Sequence, residues 1–136
     1  MKQVIFVLLT LAVLNGCASK PTISPAMQAD LDKPIYCKGF SECKTMWKRA
    51  LQFVSLNAEY EIKTANAALI ETKQWCDVWC GNFKTSALSM RVTKSPLGDR
   101  RHQLRVEVWC RTMWGCVPDT AETLWRAQLF IREGKG

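Results

Sequence analysis

Residues 88–110, LSMRVTKSPLGDRRHQLRVEVWC, decide the architecture of this chain. Leu88, Met90 and Val92 alternate with Ser89, Arg91 and Thr93, and after an interval Leu104, Val106 and Val108 alternate with Arg105 and Glu107. A period of two puts all the apolar residues on one face of an extended strand, so each run predicts a half-buried strand, the first spanning Phe83 to Thr93 and the second reaching Cys110. Between them Lys94 to Arg101 carries Pro96, Gly98 and Asp99, which is turn chemistry, so the two runs predict an antiparallel hairpin.

Working outward, Glu59 to Thr64 alternates in the same way and Ala67 to Lys73 repeats the pattern more weakly, with Asn66 as a turn residue between them. A second hairpin follows. Upstream, Met46, Trp47, Ala50, Phe53, Val54 and Asn57 recur at helical spacing behind Ser41, an expected N-cap, and Glu42 in the first turn. Downstream, Asp119 with Glu122 three positions on has capping-box spacing and opens a helix carrying Leu124, Trp125, Gln128, Leu129 and Ile131. The expected fold is α+β, in the order α-β-β-β-β-α. A four-stranded antiparallel sheet with both helices on one face is the simplest two-layer arrangement that buries every apolar stripe.

The chain has 136 residues and a formal charge of +7. Met1-Lys2-Gln3 is a short basic segment before an apolar run, Val4 to Leu14, of a length suited to a secretory signal and too short to span a bilayer. The run ends Leu14-Asn15-Gly16-Cys17, which resembles the lipobox of bacterial lipoproteins. That resemblance implies cleavage before Cys17, a diacylglycerol thioether on its sulfur, and acyl chains such as palmitate that hold the chain on its membrane. It also implies the outer membrane rather than the inner, because Ala18 and not Asp follows the cysteine. The expected organisation is a signal peptide at 1–16, a lipidated terminus and flexible tether at 17–34 with Pro21, Pro25 and Pro34, and a periplasm-facing globular domain at 35–136. A coil of the tether's length spans on the order of 20 to 25 Å.

The chain holds seven cysteines, and setting Cys17 aside leaves 7 − 1 = 6: Cys37, Cys43, Cys76, Cys80, Cys110 and Cys116. An even number in an oxidising compartment predicts disulfides. Pairing within each close couple is the economical arrangement, and pairing the Cys37/Cys43 loop with the Cys110/Cys116 loop is the main alternative. A thioredoxin-type site needs CxxC and structural zinc needs CxxC pairs or Cys/His sets. Here the spacings are CxxxC and CxxxxxC with a single His102, so neither redox catalysis nor a metal is expected, and no cofactor.

Contact residues are sought among loop tryptophans and cations. Trp79 and Trp114 stand beside cysteines in loops, and Arg91, Arg100, Arg101 and Arg105 concentrate around the second hairpin with Lys94 and His102, where Asp99 is the sole acid. Packing on the disulfides and plain solvation of a hairpin tip are the alternatives to a binding role. His102 reads as an exposed strand residue. An enzyme is not expected, since one histidine and no glycine-rich phosphate loop leave no catalytic set to assemble. The stretches CKGFSECKTMWKRA (37–50) and WCRTMWGCVPD (109–119) resemble those of small uncharacterised proteobacterial lipoproteins. The expected partners are therefore the membrane, through Cys17, and an envelope protein, not nucleic acid. The alternative is an anionic envelope polymer, or a periplasmic hydrolase that the domain inhibits.

Overall fold

A computed structural model describes residues 23–74, 87–111 and 115–135. Its elements are α1 (Pro25–Leu31), β1 (Ile35–Lys38), α2 (Gly39–Asn57), β2 (Ile62–Ala65), β3 (Leu69–Thr72), β4 (Leu88–Gly98), β5 (Arg101–Cys110) and α3 (Thr120–Glu133). The sheet is antiparallel throughout, in the order β1-β5-β4-β3-β2. The α+β class and the two-layer arrangement hold, with five strands rather than four and three helices rather than two among the described residues.

The β4–β5 hairpin is the spine. Met90 faces Val108 and Val92 faces Val106, so the apolar set of each strand lies on the same side. Against that side pack Met46, Ala50, Phe53 and Val54 of α2 and Ala127 and Ile131 of α3, all buried. Phe53 and Phe130 join the two helices, ring centroids 5.9 Å apart, and Arg49 of α2 donates to the carbonyls of Ile131 and Arg132 at the end of α3. Those carbonyls have no partner within their own helix, so the guanidinium closes α3 and ties it to α2 at once.

Three local departures from expectation have physical causes. First, Ile35–Lys38 is a strand: four residues are too few to show a period, but Ile35 and Cys37 are buried while Tyr36 and Lys38 face away. Second, α2 begins at Gly39 and not after Ser41, because Gly39 at φ +75° lets the chain swing from β1 directly into a helix. The carboxylate of Glu42 then accepts the Lys38 N–H at 2.8 Å in place of a side-chain cap. Third, the tether contains a helix. Ser24 caps α1 through the Met27 N–H, with proline in the first turn, and α1 buries no residue of its own. It is held on α3 by polar contacts instead: Trp125 Nε1 donates to Asp30 at 3.3 Å, Arg132 to the Asp30 carbonyl at 3.1 Å, and Gln128 to the Leu31 carbonyl at 3.5 Å.

The turn between the long strands is shorter than the sequence suggests. β4 runs on to Gly98, and the reversal takes only Asp99 and Arg100, at φ +50° and +59°. Two successive left-handed residues form the tight loop that matches strand twist. A register shift between Pro96 and Gly98 accommodates the proline, beyond the reach of β3, whose pairing with β4 ends at Thr93. Asn66 acts as expected, its side chain accepting the N–H groups of Ala68 and Leu69, and Asp119 caps α3 by accepting from Glu122 N–H at 2.7 Å.

Two disulfides are present among the described residues, Cys37–Cys43 and Cys110–Cys116, both local. The first clamps the end of β1 to the start of α2; the second closes the segment between β5 and α3.

Candidate functional site

The expected cationic cluster divides, by strand face for Lys94 against Arg91 and by distance along the hairpin for Arg100 and Arg101. Arg91 and Arg105 lie on the sheet face turned away from the helices, and there Arg91 is used internally. It bonds Glu71 on β3, approaches Glu107 on β5 at 3.9 Å, and stacks over Trp109 at 5.4 Å. The Glu71 carboxylate beside it, above all, makes the Arg91 guanidinium still harder to deprotonate than an ordinary arginine. Arg111 covers Trp109 from a second direction at 5.4 Å and donates to the buried Ser89 hydroxyl. Arg105 is 73% exposed and lies 3.8 Å from Glu107. Lys94 lies over the Trp47 ring at 4.7 Å.

His102 differs from its expected role. It sits directly opposite Cys37 in the β1–β5 pairing, half-buried, with Nδ1 3.8 Å from Cys43 Sγ. The potential ligand atoms of Cys37, Cys43 and His102 all lie within 4.8 Å of one another. With the disulfide formed, neither sulfur offers the thiolate that would bind a metal.

Arg100 and Arg101 remain together at the hairpin tip, and the fold surrounds them with residues that the sequence reading missed. Arg101 lies directly opposite Lys38. The Arg100 carbonyl accepts the Gly39 N–H at 2.8 Å, which fixes the tip against the start of α2. The next residue, Phe40, is 82% exposed, with Lys44 Nζ 5.7 Å from its ring centroid. Leu97 in the bulge is 46% exposed and Tyr36 on β1 is 52% exposed. None of Lys38, Lys44, Arg100 and Arg101 takes part in an ion pair among the described residues. The signal for Phe40 was misleading: three residues before Cys43, it falls about 60° from it around the helix, close to the apolar stripe. Only its position at the end of the sheet leaves it without a surface to pack on.

Cys17, Cys76, Cys80, Trp79 and Trp114 lie outside the described residues. Comparison with protein-family profiles, with characterised proteins and with solved structures gave no match.

Proposed function

We propose that this chain is a lipoprotein anchored through Cys17 in the outer membrane, its domain facing the periplasm, and that it serves there as a non-catalytic interaction module for an envelope protein. The observation that carries the reading is how soon the folded part follows the lipobox cysteine. Ser24, the cap of α1, is 24 − 17 = 7 residues beyond it, and seven residues reach at most about 25 Å. A lipid on Cys17 would therefore keep the domain beside the headgroups, and a partner would have to be met there. Trp109 and the exposed Arg105 lie on the sheet side away from the described helices, suited to a protein surface with complementary charge.

Two measurements test the two parts separately. Metabolic labelling with palmitate should mark the wild-type chain and leave Cys17→Ser unlabelled; labelling of both would refute the anchor. A photocrosslinker at position 105 should trap a discrete protein adduct in the native envelope. Sugar-bearing adducts alone would refute the protein partner and favour a polymer-binding role.

A further inference from the structure

We infer that the tip formed by the β4–β5 turn and the first turn of α2 is a docking surface for an anionic phospholipid membrane. Three apolar side chains, Tyr36, Phe40 and Leu97, are exposed at this end of the molecule, among the cations Lys38, Lys44, Arg100 and Arg101. The acids there are Glu42, whose carboxylate accepts the Lys38 N–H, and Asp99 in the turn, leaving a local excess of 4 − 2 = +2. Rings and a leucine that enter the boundary between headgroups and acyl chains, rimmed by cations that meet phosphates, are the chemistry of a peripheral membrane contact.

Two local features place charge here against the interest of the fold. Arg100 occupies the second left-handed position of a two-residue hairpin turn, where glycine after aspartate is the favoured sequence. Lys38 and Arg101 stand directly opposite each other across the β1–β5 pair, an arrangement that repels. Both would be improved for stability by neutral residues. Both instead add to one cationic rim around Phe40. An acidic protein face would meet the cations, but three exposed apolar side chains at the projecting end of a domain fit a yielding lipid surface better than a preformed one.

The compartment, though not the test, rests on the lipoprotein reading. All buried hydrophobic residues lie between Ile35 and Ile131 among those described, so a chain starting at residue 18 keeps that core and can be used without its lipid. Its binding is measured by co-sedimentation with vesicles of phosphatidylcholine containing 30% phosphatidylglycerol, against phosphatidylcholine alone. The expected result is binding to the anionic vesicles, weakened by raising salt from 0.1 to 0.5 M. Arg100→Gly should weaken it about 5-fold and Arg100→Gly with Arg101→Gln about 30-fold, at roughly one cation's contribution each. Phe40→Ala should weaken it as well. Because Arg100→Gly relieves the turn, its thermal midpoint should equal or exceed the wild type's, so lost binding cannot be ascribed to unfolding. Equal binding to both vesicle types, unchanged binding by these variants, or no vesicle binding alongside capture of an acidic protein would each overturn the inference. None of those results bears on palmitate labelling of Cys17.

Discussion

Replacing Thr72 by valine should destabilise the domain far more than the loss of one hydroxyl suggests. Thr72 is 1% exposed and ends β3 one residue past its last backbone pair with β4, Glu71 with Arg91. There its hydroxyl stands in for a strand: Oγ1 accepts the Met90 N–H at 2.9 Å and donates to the Met90 carbonyl at 3.3 Å. The N–H and C=O of a strand residue point to the same side, and those of Met90 point away from β5, so one hydroxyl serves both. Valine preserves the shape and leaves two buried backbone groups unpaired. An unsatisfied buried group costs about 1–3 kcal/mol, and the longer carbonyl bond counts toward the low end, giving about 3 kcal/mol in all. At an urea m-value of about 1.5 kcal/mol/M the midpoint should fall by about 2 M. Thr72→Ser keeps the hydroxyl and loses one methyl, which should cost about 1 kcal/mol. Urea titration followed by tryptophan fluorescence, with disulfides intact, measures all three proteins. A valine variant within 0.5 kcal/mol of wild type, or a serine variant as unstable as the valine one, would falsify the account.

Asp30 is held below its ordinary value of 3.8 chiefly by hydrogen bonds from Lys33 and Trp125. A depressed carboxylate stabilises the folded arrangement above that value and ceases to as pH falls through its folded pKa. The protection of α1 amides, taken relative to their intrinsic exchange rates at each pH, should therefore fall below about pH 4, and Asp30→Asn should remove the pH step. Asp119→Ala deletes the cap on α3 and should cost about 1 kcal/mol in a urea titration, with Asp119→Ser recovering most of it. Gly134→Ala should lower the thermal midpoint by about 5 °C, since φ there is +73° and the added carbon would come within 2.9 Å of Arg49 Nη2. Adding Arg49→Ala should not restore it, because the left-handed backbone remains and two carbonyls lose their donor.

What could be read from the sequence followed the length of each pattern. The alternation in Leu88–Val92 and Leu104–Val108 is long enough to announce both the strands and their buried side, and Asp119 and Asn66 announce a cap and a turn by chemistry that acts within three residues. β1 and α1 could not be read this way. The former is four residues whose place is set by register with β5, over sixty positions away. The latter has no apolar stripe, since polar groups of α3 hold it in place. The tip was half legible: its two arginines were found, but Lys44 was not, the exposure of Phe40 depends on where the sheet ends, and Lys38 joins Arg101 only through strand pairing. The separation of Arg91 from Arg100 and Arg101 likewise follows from Glu71, which arrives from another strand.

The polar seam between α1 and α3 gives the chain a defined order of mechanical failure. A pull on the residues before Ser24 reaches α3 through the hydrogen bonds at Asp30 and Leu31, each worth about 1 kcal/mol net, before it loads any buried side chain. α1 peels away first. Its seven residues lengthen from about 10 Å as a helix to about 24 Å extended, which pays out leash under load while the sheet, both disulfides and the packed helices stay in register.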